Sequence, residues 1–267
     1  MPSSGSSPAI KLMQITDCHL FADADGRLMG VDTSQTLDWV LELARSLPSP
    51  DRLLLTGDLA QDGTPDSYRL LRERIAPLNV PSHWICGNHD NALAMAEALA
   101  DQPQTLSKRI VMGSWQLLML HSQVEGEVGG ALAEAELELV ERSLRAFKGH
   151  SLICMHHHPL AVGSQWMDRI AIANQQQLWE RLALAQGQVI LLCGHVHQHQ
   201  ERRHQGVTLL TTPATCFQFA PLSDSFGVTE EMPGLRTLEL YDDGSFDTQV
   251  HRVSPHELTI NRELMGY

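Results

Sequence analysis

The chain has 267 residues, 43% of them hydrophobic, and a formal net charge of −13. That length suits one α/β domain with a sizeable core, and no apolar run approaches the roughly 18 residues that a membrane helix needs. The acid balance argues against a long nucleic acid as partner, because backbone binding depends on Lys and Arg neutralising phosphates.

Residues 1–9 are rich in Ser, Pro and Gly, with neither the basic nor the apolar region of a secretory signal. They read as a disordered tail on a cytoplasmic protein. Ile10 to Ile15 is a short buried-strand pattern that ends at Asp17. Asp32, Thr33 and Ser34 then offer caps to a helix carrying Leu37, Val40, Leu41, Ala44 and Leu47 on one face, stopped by Pro48 and Pro50. Leu53 to Thr56 is a second strand ending at Gly57-Asp58, and Pro65 suits the first turn of the next helix. Pro81 to Cys86 is a third strand, running into Gly87-Asn88-His89-Asp90.

Beyond this βαβαβ half, Lys108–Met112 and Trp115–His121 read as strands, and 131–147 as a helix with Leu137, Val140, Leu144 and Phe147 in register. Ser151–Met155 is a strand ending at His156-His157-His158; 174–185 is helical; Val189–Cys193 is a strand ending at Gly194-His195-Val196-His197. Val207–Thr211, Leu235–Tyr241 and Phe246–Val253 complete the strands, the last two joined by the turn Asp242-Asp243-Gly244. Five cysteines without a CxxC pair read as reduced, apolar fillers rather than metal ligands.

Five of these strands end on side chains able to bind metal: Asp17-Cys18-His19, Gly57-Asp58, Gly87-Asn88-His89-Asp90, His156 with its two neighbours, and Gly194-His195-Val196-His197. Open α/β sheets place their sites at these carboxyl ends. Carboxylate, amide oxygen and imidazole together suit Fe or Mn, and also Zn, better than Mg or Ca, and a thiolate-free set with open positions fits catalysis. Two divalent cations set against Asp17, Asp58 and a bridging hydroxide leave about +1, so an anionic substrate is acceptable despite the acidic chain. From the residues alone the reading is a metal-dependent phosphoesterase.

The motif order Asp-x-His, Gly-Asp, Gly-Asn-His-Asp, His and Gly-His-x-His resembles that of the calcineurin-like metallophosphoesterases. Within that family the chain is most similar to the bacterial class III cyclic nucleotide phosphodiesterases. The closer likeness rests on Ile15–Phe21, Thr56–Asp62, His156–Leu160, Cys193–Gln198 and Thr212–Phe219. The resemblance implies a four-layer α/β/β/α sandwich over residues 10–267, a single domain whose C-terminal strand-rich segment completes the second sheet. It implies that Asp17, His19 and His197 hold one divalent ion and Asn88, His156 and His195 another, with Asp58 between ions roughly 3.5–4 Å apart. Fe and Mn are the expected metals, with Zn, Co or Mg as alternatives. A metal-bridging hydroxide would cleave 3′,5′-cyclic AMP to 5′-AMP, lowering cyclic AMP signalling. Asn88, His89 and His197 would face the substrate; His89 would stabilise the transition state or protonate the leaving oxygen, and Asp90 would orient His89 by a hydrogen bond.

Several positions stay open. A one-residue slip in the triple histidine would make His157 the ligand instead of His156. Trp166, Phe217 and Phe219 could stack on a purine or pack in the core. His83, His121, His150, His204, His251 and His256 read as structural or surface residues, and Arg202-Arg203 as a solvated pair. The partner is expected to be a small cyclic nucleotide, with no nucleic acid and no membrane, the chain being a monomer or homodimer. The alternatives are a metallophosphoesterase of other specificity (2′,3′-cyclic nucleotides, other diesters or monoesters) and a non-catalytic scaffold of the same fold.

Overall fold

The computed structural model describes residues 9–262; the tail expected over residues 1–9 lies outside them apart from Ala9. The first half builds one sheet. β1 (Ile10–Ile15), β2 (Arg52–Thr56) and β3 (Ser82–Ile85) run parallel, connected through α1 (Thr33–Ser46) and α2 (Pro65–Ile75) and followed by α3 (Ala92–Ala98). The local signals are those the residues predict. The Asp32 carboxylate accepts from Gln35 N at 2.9 Å to cap α1, and Thr64 caps α2 with Pro65 in its first turn.

The second half builds another sheet from β4 (Arg109–Met112), β5 (Trp115–Met119), β6 (His150–Met155), β7 (Val189–Cys193), β8 (Gln200–His204) and β9 (Val207–Thr211). Its spatial order is β4-β5-β6-β7-β9-β8, with α4 (Glu134–Ala146) and α6 (Gln175–Leu182) on its outer face and the single turn α5 (Gln165–Asp168) near one end.

Strand alternation sorts the side chains into layers. Met13, Ile15, Leu53, Leu55 and Trp84 meet α1, α2 and α3. Their neighbours Leu12, Leu54 and Ile85 turn the other way, onto Leu117, Leu152, Ile190 and Leu210 of the second sheet. Leu118, Ile153, Leu191 and Leu209 point outward onto α4 and α6. Helix, sheet, sheet and helix thus stack as the four-layer sandwich that the motifs led us to expect.

One assignment needs correcting. β8 and β9 finish the second sheet, but the C-terminal hairpin of β10 (Gly234–Leu240) and β11 (Phe246–Arg252) joins the first, in the order β11-β10-β1-β2-β3. β10 pairs antiparallel with β1, Ile10 opposite Leu240 and Gln14 opposite Arg236. The physical reason is the edge of β1, which would otherwise expose unpaired backbone groups along a buried strand. α3, α5 and β8 also lack a clear sequence signal: two are too short for a period, and β8 reads Gln-Glu-Arg-Arg-His with no apolar residue.

Gln14 is the polar exception on the inner face. Its Nε2 donates to Thr56 Oγ1 at 2.7 Å and to the Cys193 carbonyl at 3.2 Å, while its Oε1 accepts from Thr212 Oγ1. Thr212 Oγ1 in turn accepts from Arg236 Nε at 3.0 Å. A buried chain of hydrogen bonds therefore ties the two sheets together just below the loops that carry the motifs. Among the described residues no helix is long and apolar enough to cross a membrane.

Candidate metal centre

The five motif loops converge where the carboxyl ends of β1, β2, β3, β6 and β7 meet. Backbone bonds continue the β1–β2 ladder past the strands: Asp17 N donates to Gly57 O at 3.0 Å and His19 N to Asp58 O at 2.9 Å. The second sheet is joined on by His195 N, which donates to Asp17 Oδ1 at 3.0 Å. Asp17, His19, Asp58, His195 and His197 all have positive φ, from 46° to 65°. Left-handed backbone is uncommon outside glycine and clusters at functional sites. Here it turns each side chain back over the strand end instead of letting the chain run on.

Close packing at the glycines brings the loops together. Gly57 has φ +96°, and a Cβ there would lie 2.4 Å from His156 Nδ1. At Gly87 a Cβ would lie 2.2 Å from Asp58 Oδ1, so the Gly87-Asn88 backbone sits directly against Asp58.

Asp17, His19, Asp58, His156, His195 and His197 are fully buried, and their polar tips face one another. His197 Nε2 lies 3.4 Å from Asp17 Oδ1 and 3.4 Å from His19 Nε2. His19 Nε2 is 3.8 Å from Asp58 Oδ2, and His156 Nε2 is 3.2 Å from the same oxygen. His156 and His195 rings stand 5.0 Å apart. Asp58 therefore lies between a group containing Asp17, His19 and His197 and a group containing His156 and His195.

Hydrogen bonds on the far ring nitrogens aim the imidazoles. His19 Nδ1 meets Gln61 Oε1, His156 Nδ1 the Thr56 carbonyl and His197 Nδ1 the Phe217 carbonyl, each at 2.8 Å. Since these partners accept, Nδ1 carries a hydrogen in each ring and Nε2 is the nitrogen turned to the centre. Asn88 Oδ1 and both ring nitrogens of His195 are buried without a hydrogen-bond partner among the described residues. Buried polar atoms are otherwise almost always satisfied, so a ligand-shaped need remains at these positions.

The electrostatics fit cations as well. Burial works to raise the Asp17 pKa, yet the facing His197 and His156 hold it below the ordinary carboxylate value. Asp58 is likewise held well below that value against its burial, by His156 first and then His89 and His19. Burial opposes protonation of His156, but the Asp58 charge pushes its pKa up to about 9. Burial lowers His19 to about 3. Two buried carboxylates with only imidazoles beside them are a poor arrangement in isolation and a suitable one for divalent cations, so the residues present fit a two-ion centre.

The triple histidine resolves by geometry. His157 lies beside His156 and His195, its ring 4.5 Å from that of His195, but both its nitrogens are engaged: Nδ1 meets Ser122 Oγ at 2.8 Å and Nε2 the Val128 carbonyl at 3.1 Å. His158 points at Asp168, 3.8 Å away. Only His156 faces Asp58.

Asp90 departs from expectation. Its carboxylate accepts from Gly87 N, Leu59 N, Ala60 N and Tyr68 Oη at 2.8–3.0 Å, and the hydrogen bond expected to the His89 ring is not among these contacts. Asp90 thus braces the backbone of its own loop and of the Asp58 loop. Burial, then the Asp58 charge, raises its pKa to about 7 against those donors. His89 is half-buried at the rim, its N donating to Asp58 Oδ1 at 2.9 Å and its ring 5.1 Å from that of His19. Phe217 and Phe219 are core residues, and Phe219 stacks on the back of His197 at 4.1 Å, so neither offers a face to a base from solvent. Sequence reasoning passed over Gln14, Gln61 and Tyr68; a lone Gln in the apolar run of β1 was the one available signal.

The description calcineurin-like phosphoesterase applies to residues 10–199, the stretch matched by that family's model. The chain belongs to the calcineurin-like phosphoesterase family. Curated relatives extend the match over its length. A 3′,5′-cyclic adenosine monophosphate phosphodiesterase CpdA of Pseudomonas aeruginosa is 39% identical over 97% of this chain and 96% of its own. The Escherichia coli protein of the same name is 40% identical over 100% of this chain and 98% of its own. A 3′,5′-cyclic-nucleotide phosphodiesterase of Nostoc is 37% identical over 94% and 95%. Among solved structures, a dimetal phosphatase from Danio rerio superposes with TM-score 0.65 at 12% identity, covering 93% of this chain and all of that one. That likeness is one of fold. Members of this phosphoesterase family are built around two divalent metal ions, and the clustered Asp and His groups of this chain supply the donors.

Proposed function

We propose that the protein hydrolyses 3′,5′-cyclic AMP to 5′-AMP at this centre. The observation that carries the reading is the convergence of Asp17, His19 and His197 on one side of Asp58 and His156 and His195 on the other. Near-full-length similarity to enzymes named for cyclic AMP hydrolysis supports the substrate. Asp17, His19, His197 and Asp58 would hold one ion, and Asn88, His156 and His195, with Asp58 between, would hold the other; Fe and Mn would suit this donor set. When bound, the ions supply Lewis-acid polarisation of the phosphoryl group and acidify the attacking water.

The chain's own residues do the rest. Asn88, His89 and His197 orient the phosphoryl oxygens. His89, held at the rim by its backbone bond to Asp58, reaches the ribose 3′ oxygen as the P–O bond breaks and returns a proton to it. Asp90, through its amide contacts, keeps the His89 loop seated against the Asp58 loop. The buried walls exclude competing water from the imidazole and carboxylate tips.

The test follows cyclic AMP and 5′-AMP by chromatography with purified protein, before and after chelation. Turnover should vanish on chelation and return on adding Mn²⁺ or Fe²⁺, while Asp58→Ala should show neither activity nor restored metal content. Cleavage of bis(4-nitrophenyl) phosphate without any 5′-AMP from cyclic AMP would overturn the substrate.

A further inference from the structure

A cavity opens beside Asn88 of the candidate centre. It measures about 340 Å³ and is bordered by Asn88 at its inner end and by Leu93, Gln123, Glu125 and Gly126 farther out. That is within the size range of small-molecule pockets, about 300–1,000 Å³. A larger cavity of about 570 Å³, beside Met232 and Leu258, has none of the candidate ligands in its wall.

The outer wall is the loop between β5 and α4, and it is anchored more firmly than its exposed sequence suggests. His157, the middle residue of the triple histidine, holds Ser122 and the Val128 carbonyl from below. Ser122 Oγ also accepts from His157 N at 3.2 Å, so the ring is fixed with its hydrogen on Nε2. Gln123 Nε2 donates to the Asp90 carbonyl, tying the loop to the Asn88-His89 segment. A loop fastened at three points carries Glu125 and Gly126 into the cavity wall.

The chemistry of the mouth is divided. Leu93 stands 84% exposed at the start of α3, an apolar side chain with nothing packed over it. Glu125, in the same cavity wall, brings a carboxylate that only accepts hydrogen bonds, and Gln123, its Nε2 committed to the Asp90 carbonyl, has Oε1 as a second acceptor. A flat apolar ring carrying N–H groups on its edge matches both features.

We propose that this cavity is the nucleobase subsite: adenine lies against Leu93 and its 6-amino group donates to Glu125, with Gln123 beside it. His157 is then a positioning residue for the loop that reads the base. The inference rests on the cyclic AMP reading above, and it accounts for a histidine that the metal centre does not use.

The test compares kcat/KM for cyclic AMP, for the 3′,5′-cyclic monophosphate of purine riboside, which lacks the 6-amino group, and for the base-free bis(4-nitrophenyl) phosphate. Wild-type protein should favour cyclic AMP over the purine riboside analogue by about tenfold, the scale of one hydrogen bond to a charged acceptor. Glu125→Ala should erase that preference. Leu93→Ser should lower the ratio of cyclic AMP to base-free diester about fivefold, through KM. Both positions are exposed, so folding is not at issue. A wild-type enzyme indifferent to the 6-amino group, or a Glu125→Ala variant that keeps the preference, overturns the subsite and leaves the reaction standing. Failure of wild-type protein to cleave cyclic AMP at all overturns the reaction, and the subsite with it.

Discussion

His89 and Asp58 each follow the carboxyl end of a parallel strand, β3 and β2 respectively, yet serve different ends. Asp58 sits between the two donor groups, 3.2 Å from His156 and 3.8 Å from His19, whereas His89 approaches the rim through its backbone bond to Asp58. His89→Ala should keep both ions, measured by elemental analysis, and lose about 10²–10⁴-fold in kcat, the range for a positioned proton donor. Wild-type turnover in that variant would remove the donor role. Another histidine reports on stability. Burial, with the Arg52 charge behind it, lowers the His83 pKa from 6.5 to about 4. The unfolded chain then takes up a proton near pH 6.5 that the folded protein refuses. The His83 contribution is therefore intact above pH 6.5 and is lost as pH falls towards 4. Urea unfolding midpoints of wild type and His83→Gln, compared at pH 7 and about pH 5, should show a smaller acid loss in the variant. An equal loss in both would contradict the burial argument.

At the level of single elements, each motif works because a strand stops and a left-handed residue follows. Gly57 makes the point: with φ +96° and His156 Nδ1 2.4 Å from where a Cβ would be, it admits no side chain. Gly57→Ala should leave the far-ultraviolet circular dichroism in place but weaken Mn²⁺ binding at least tenfold by calorimetry, since His156 and Gly87 must move apart. Unchanged Mn²⁺ affinity would show that the loops tolerate the added methyl. The elements themselves were legible where their signals were long. The periodic runs of α1 and α4 appear as helices, with α4 opening at Glu134 rather than 131 because Ala131 N and Leu132 N are bonded instead to Ser122 O and Asn174 Oδ1. The seven-residue α3 and the polar edge strand β8 carry too little apolar period to stand out as elements.

Across the whole molecule, the joint between the two sheets lies at Gln14, where β1, β2, β7 and β10 are connected through Thr56, the Cys193 carbonyl, Thr212 and Arg236. Arg236 is itself buried and hydrogen-bonded to Thr211 O, Thr212 Oγ1 and Thr248 Oγ1, with its pKa lowered to about 10 by that burial. Gln14→Leu keeps the volume but strands these partners, and should cost about 1–3 kcal/mol in urea unfolding. A Gln14→Leu protein as stable as wild type would show the joint to be dispensable.

The amino-acid sequence alone determined the chemistry on offer: which side chains end which strands, and that imidazole, amide and carboxylate are available for metals at Asp17, His19, Asp58, Asn88, His156, His195 and His197. It did so because motif spacing and strand patterning are local properties. Tertiary structure alone decided that His156 rather than His157 faces Asp58, that Asp90 braces backbone instead of the His89 ring, and that the last hairpin pairs with β1. Those outcomes depend on contacts between residues up to some two hundred positions apart, as with Gln14 and Thr212, where hydrogen bonds and steric fit choose among arrangements that local spacing leaves equal.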